Sequence, residues 1–253
     1  MRDRLLGKKK TKTLVKKLNR EKRMRKIVLI GLSAILLSFL LFFIIASIRE
    51  FTGSFTINLN YKETEGGFSL YDNAAFNNPT TRLSPDPLKK AMTNITLPDL
   101  DLGGIDASIG GSRHGSVNPS ESAYLAYTFF IKNNLPEAHA YETRINLVDA
   151  AKGVEEAVRL IIIKDKLTYY SPGNERISTV YGKQNKSDGC LDVFCDESFL
   201  DVRRGTVIHF DSELKPGEVH KYTIVMYLEG EDPECVDDIK GGMIKFNMEF
   251  LVL

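Results

Sequence analysis

Two hydrophobic rhythms divide the chain. From Ile27 to Ile48 (IVLIGLSAILLSFLLFFIIASI) apolar residues run for 22 positions without a charge, about 33 Å as an α-helix at about 1.5 Å per residue. That length matches one bilayer crossing, whereas a buried helix of a water-soluble domain would carry charged positions along one stripe. From Phe51 onward the period falls to two, the mark of half-buried strands. Ile244, Phe246, Met248 and Phe250 alternate with Lys245, Asn247 and Glu249, predicting a closing strand with one core face and one wet face. His220 to Leu228 sets Tyr222, Ile224, Met226 and Leu228 on one face. Lys215-Pro216-Gly217-Glu218 before it reads as a turn, so a hairpin with Gly205 to Phe210 is the economical pairing.

Further strands are predicted at Phe55 to Asn60, Gly67 to Tyr71, Ala123 to Lys132, His139 to Asp149, Ala157 to Asp165 and Lys166 to Tyr170. Helical patterns long enough for a crossover are missing. The fold expected is therefore mainly β, an antiparallel β-sandwich of jelly-roll or immunoglobulin-like type, following a single N-terminal transmembrane helix. Asp72 to Glu121, rich in Asn, Pro, Thr, Ser and Gly, reads as a long loop with one helical turn at Leu88 to Met92, and a loop of that length is either functional or mobile.

Charge gives the arrangement a direction. The net charge of +1 conceals 13 Lys/Arg against Asp3 and Glu21 in residues 1–26, a local +11, leaving 21 basic against 31 acidic residues in the rest. By the positive-inside rule residues 1–26 are a basic cytoplasmic segment, 27–48 the membrane span and 49–253 an extracytoplasmic domain. The expected location is the cell membrane, in a single pass. The apolar run exceeds the about 7 to 15 residues of a secretory signal core and ends on Ile44-Ile45-Ala46, a poor cleavage site, which favours an uncleaved signal anchor; an atypical signal that is removed is the alternative. A nucleic-acid role for residues 1–26 is disfavoured, because they hold no aromatic side chain for base stacking and abut the span.

Candidate chemistry is sparse. Cys190, Cys195 and Cys235 fall on the exported side, where a disulfide joining Cys235 to Cys190 or Cys195 is expected; spacing does not choose between the two. Glu229, Glu231, Asp232, Glu234, Asp237 and Asp238 put six carboxylates within ten residues. A solvated acidic turn explains them, and hard oxygen donors in a loop also suit Ca²⁺, the one cofactor the sequence suggests. Asp99, Asp101 and Asp106 resemble a calcium loop but have Gly110 where the closing acid belongs. His114, His139, His209 and His220 are scattered. There is no H-E-x-x-H, no G-x-S-x-G and no phosphate-binding glycine loop, so nothing in the sequence marks an enzyme.

The segments YLAYTFFIKNN and KPGEVHKYTIVMYLEGEDPECVDDIKGGMIKFNMEF, behind a basic start and one apolar run, resemble exported Gram-positive proteins of the camelysin-like and biofilm-matrix-fibre type. The resemblance covers residues 50–253 and implies a jelly-roll-like sandwich at the cell surface. Ser47-Ile-Arg-Glu-Phe51 stands where such proteins are cleaved after a signal, which implies a chain that stays anchored.

The leading expectation is a non-enzymatic, membrane-anchored module for surface structure, adhesion or matrix assembly. It would meet a protein or envelope-polymer partner, or copies of itself, through sheet edges. One alternative is an accessory or sensing subunit of a larger complex. Another is a membrane-anchored hydrolase with a site around His209, His220 and the acidic loop.

Overall fold

The computed structural model describes residues 22–40, 52–61, 67–89, 91, 95–115, 122–166, 168–169, 178–183, 197–199 and 210–253. The chain divides into two units, Met1–Arg49 and Glu50–Leu253. In the first, residues 22–40 are helical, α1; this described stretch carries Lys22, Arg23, Arg25 and Lys26 and is wholly apolar or small from Ile27. Among the described residues no helix is long and apolar enough to cross a membrane. Residues 41–48 of the expected span lie outside the described residues.

The second unit is two β-sheets face to face. The first contains β1 (Thr52–Tyr61), β3 (Arg82–Leu83), β4 (Leu88–Lys89), β7 (His139–Ala151), β11 (Phe210–Leu214) and β13 (Met243–Val252), in the order β11-β7-β13-β1-β3 with β4 also on β1. The second contains β2 (Phe68–Tyr71), β5 (Gly111–Arg113), β6 (Tyr124–Asn133), β8 (Val158–Lys164), β9 (Val180–Lys183), β10 (Glu197–Phe199) and β12 (Val219–Leu228), in the order β10-β9-β8-β12-β6-β2 with β5 also on β6. The inner faces interdigitate through aromatic rings. Phe250 of the first sheet meets Phe129 edge-on at 5.8 Å and Tyr222 at 5.1 Å, a geometry that adds about 0.5–1.5 kcal/mol per pair beyond area burial.

The pairing departs from the expected one in three places. The antiparallel rule holds for most neighbours, but β1 runs parallel to β13 and β10 parallel to β9. Strands so far apart in sequence as β1 and β13 have no tight turn to force them antiparallel. The Lys215–Glu218 turn does not close a hairpin. β11 pairs with β7 in the first sheet and β12 with β6 and β8 in the second, so the turn carries the chain between sheets. Both edges of β12 being occupied, β11 has no place beside it. Residues 205–209 lie outside the described residues. The third departure is the predicted strand at Lys166 to Tyr170, where Lys166, Thr168 and Tyr169 are not in a strand.

Crossing between sheets is the habit of this chain: β6, β7, β8, β11, β12 and β13 alternate, apart from β9 and β10. Asn133, fully buried at the end of β6, ties two crossings together. Its Nδ2 donates to the carbonyls of Glu137 (2.8 Å) and Leu214 (2.9 Å), and its Oδ1 accepts from Leu135 N. Its backbone meanwhile bonds Gly217 and Glu218 of the other crossing. Gly217 sits at φ 75° there, a left-handed conformation that glycine adopts without strain.

The segment expected as a long loop is built. It supplies β3, β4 and β5, a 3-10 turn at Leu97–Asp99 and the short helix α2 (Leu102–Asp106). Leu88–Lys89 is strand, and the helical turn comes later in the chain. Ile95, Leu97, Leu100, Leu102 and Ile105 of this segment pack with Ile161, Ile163, Val225 and Tyr227 on the outer face of the second sheet, a separate core. This cover explains why β6 and β8 read as near-continuous apolar runs while β1 and β13 alternate: the second sheet is buried on both faces. Asp99 and Asp101, read as calcium-like, cap these turns. Asp99 accepts from Thr96 N and Oγ1, and Asp101 accepts from Gly104 N.

Candidate functional site

The acidic loop is pulled apart by its own neighbours. Glu229 follows β12 directly and is fully buried. Its Oε2 accepts from Tyr227 Oη (3.1 Å) and Leu97 N (3.2 Å), its Oε1 from Glu231 N (3.2 Å), and Gly230 N donates to Ile95 O. The carboxylate therefore clasps the cover onto the second sheet. Burial pushes its pKa up, and the hydrogen bonds from Glu231, Tyr227 and Leu97, with the charge of Arg159, oppose the shift. Asp232 pairs with Arg159 at 2.5 Å, both side chains sealed from solvent, and its Oδ1 accepts from Glu234 N. Asp237 faces solvent beside Lys240.

Of the six expected Ca²⁺ donors, two thus hold internal positive or N–H groups. Among the described residues no three His, Cys, Asp or Glu side chains are grouped to hold a metal ion. Cys235 is half-buried beside this network, and burial together with Asp232 and Glu229 pushes its thiol up to about 11. Cys190 and Cys195, and with them the expected disulfide, lie outside the described residues.

His220 stands near the other end of β12, about 30 Å from Glu229 along the chain at about 3.3 Å per residue. Catalytic partners need hydrogen-bond reach, so His220 and the acidic loop do not form one site. His209 lies outside the described residues.

A different cluster gathers where β7, β8 and β12 end. His220 and Tyr222 share the inward face of β12, and Lys164 faces Tyr222 in register on β8. From the first sheet Tyr141 Oη reaches both, 2.7 Å from His220 Nδ1 and 2.8 Å from Tyr222 Oη. The two phenols, buried between the sheets, form a polar link that ends on a half-buried imidazole. Lys164 Nζ stands 6.0 Å over the Tyr141 ring. Burial and the Lys164 charge hold the His220 pKa below its ordinary value, with Asp165 and Glu218 pulling the other way. Burial likewise lowers Lys164.

Beside this cluster opens a cleft of about 170 Å³ lined by Ile162, Lys164, Thr168, Ser178, Thr179 and Tyr222. Asp165, at φ 64°, turns the chain after β8, and Thr168 comes back to Ser178, their hydroxyls 3.3 Å apart. The sequence reading missed these residues except for His220. The signal available was Lys164: with Leu160 and Ile162 it falls on the apolar parity of β8, where a charge needs a reason.

Comparison with known proteins adds little. No family model matches the chain, and no curated protein matches it. A β-glucosidase from Kluyveromyces marxianus is similar over 72% of this chain and 17% of its own, at 15% identity and a TM-score of 0.24. An α-xylosidase from Xanthomonas citri is similar over 69% of this chain and 14% of its own, at 11% identity and a TM-score of 0.20. The adhesin domain of Lys-gingipain from Porphyromonas gingivalis covers 49% of this chain and 80% of its own, at 4% identity and a TM-score of 0.14. The chain thus spans less than a fifth of the glucosidase and xylosidase chains, and scores this low carry no argument about fold or function.

Proposed function

We propose that this protein is a membrane-anchored, extracytoplasmic β-sandwich with no catalytic role, serving surface structure, adhesion or matrix assembly. The observation that carries the reading is the sequence around the apolar run: 22 uncharged residues with +11 before them and a net −10 after them. That polarity orients a single-pass helix with its N-terminus in the cytoplasm.

The described part of α1 supports it. Its large apolar side chains stand open, from 56% exposed at Met24 to 74% at Leu36, and an exposed apolar surface of this kind needs lipid or a partner. Ser33 and Ser38 direct their hydroxyls to the carbonyls of Ile30 and Ile35 in the same helix, so both are satisfied within the helix, as hydrocarbon surroundings require. Strand alternation between the sheets favours a jelly-roll over an immunoglobulin-like topology, in keeping with the resemblance to camelysin-like and matrix-fibre proteins. The carboxylates of the acidic loop fit a structural role better than a hydrolytic one, Glu229 and Asp232 being committed to the cover and to Arg159.

The test is made on the native protein in its own cells, by membrane fractionation, intact-mass measurement and protease treatment from outside. A full-length mass in the membrane fraction, with loss of the C-terminal domain on treatment, is the expected result. A chain that begins near residue 47 and appears in the medium overturns the anchor and leaves a released matrix protein.

A further inference from the structure

Lys22, Arg23, Arg25 and Lys26 place four cations within five residues of α1, immediately before the uncharged run opens at Ile27, and all four are exposed. A rise of about 1.5 Å per residue keeps them within about 6 Å along the axis, and a turn of about 3.6 residues spreads them over roughly half of the circumference. Residues 22–40 contain no Asp or Glu, and residues 1–26 hold 13 Lys/Arg against only Asp3 and Glu21. The segment cannot neutralise itself. With the acidic domain across the membrane, the compensating anion comes from the cytoplasmic side.

We propose that Lys22, Arg23, Arg25 and Lys26, with the basic residues before them, bind the headgroup phosphates of anionic phospholipids, so that the anchor selects the lipid around it. The inference rests on the anchored reading above and adds the lipid class. With Ile27 at the edge of the hydrocarbon, the four side chains fall at headgroup depth, their stems lying along apolar surface and their charges in the polar layer. Arg23 and Arg25 suit two-pronged contact with phosphate oxygens, and Lys22 and Lys26 act as point charges. Clusters of this kind just cytoplasmic of a span are drawn to anionic lipid. Nucleic acid is the competing polyanion, but residues 1–26 offer no aromatic side chain to stack a base.

The experiment reconstitutes the full-length chain in vesicles of phosphatidylcholine and phosphatidylglycerol in equal parts. Electron paramagnetic resonance of spin-labelled forms of the two lipids reads how much of each is held at the protein. Phosphatidylglycerol is expected to be held about fivefold more strongly for a headgroup paired with one cation. The preference disappears at about 1 M salt, where the screening length is about 3 Å. It also disappears when Lys22, Arg23, Arg25 and Lys26 are all changed to Gln. Lys215→Gln with Lys245→Gln, at exposed cations of the sandwich, leaves it unchanged. If the fourfold variant does not reconstitute, the salt dependence of the wild type decides. Equal retention of the two lipids, a preference unmoved by salt, or its loss on adding a single-stranded oligonucleotide at the concentration of the phosphatidylglycerol overturns the proposal. Flotation with pure phosphatidylcholine vesicles separates the two readings: a chain that floats without a lipid preference defeats this inference alone, and a chain that does not float defeats the anchor as well.

Discussion

Arg159 Nη2 and Asp232 Oδ2 lie 2.5 Å apart with neither side chain exposed to solvent, joining β8 to the loop after β12. Arg159 also donates to the carbonyls of Val158 and Glu156, so the guanidinium is fixed on more than one side. A buried pair of this kind is costly to halve and nearly neutral to replace whole. Arg159→Met is expected to destabilise the domain by about 3–5 kcal/mol, by leaving the Asp232 carboxylate without its cation. The double variant Arg159→Met with Asp232→Leu recovers most of that loss. Urea denaturation of the two variants beside the wild type checks both.

Glu229 gives stability a pH slope. Its folded pKa is raised above 4.5, so the folded state binds the proton more tightly than the unfolded chain. The resulting stability is fully present below 4.5 and is lost as pH rises through the folded pKa. Glu229→Gln is expected to flatten this fall, whatever offset the amide introduces at Leu97 N or Glu231 N. Denaturant midpoints measured from pH 4 to pH 8 read the slope directly.

His220 contributes in the opposite sense. Its folded pKa lies below 6.5, so its contribution is present above 6.5 and is lost as pH falls through the folded value. Imidazole NMR signals of the folded protein should titrate below 6.5, the ordinary value. Lys164→Met, which takes away a repelling charge, raises the His220 midpoint. An unchanged midpoint would mean that burial alone sets it.

The phenol pair can be tested by deleting one oxygen. Tyr141→Phe keeps the ring against Phe250 and Phe68 but removes the acceptor or donor for Tyr222 Oη and His220 Nδ1. A loss of about 1–3 kcal/mol is expected, the cost of leaving a buried polar group unmet. Thermal unfolding of Tyr141→Phe against Tyr222→Phe, together with the double variant, isolates the coupling.

Cys235 offers a chemical check. In reduced, folded protein its thiol, held up to about 11, is expected to react with a maleimide at pH 8 far more slowly than after denaturation, because the thiolate is the nucleophile. Peptide mass mapping of the labelled chain measures it.

What was legible in the sequence follows from local physics. Period-two alternation gave β1 and β13 because one face of the first sheet is wet, so polarity marks every second residue. The apolar runs of β6 and β8 announced strands too, but not what covers their second face. The cover of Ile95 to Ile105 is apolar at irregular intervals, with no period to show which surface receives it.

The acidic loop shows the same limit. Six carboxylates in ten residues are plain in the sequence, yet their roles depend on Arg159, Tyr227 and Leu97, brought in from β8, β12 and the cover. The cleft was hidden for a similar reason, its hydroxyls coming from opposite sides of a loop and its phenol link from two sheets. The sequence by itself determined the strand periodicity, the uncharged run and the division of charge, because these are properties of neighbouring residues. Only the tertiary structure decided that β1 lies parallel to β13, that β11 and β12 part between sheets, and that Glu229 and Asp232 face inward. Those outcomes are settled by which edges and buried charges find partners far along the chain, and no local rule carries that information.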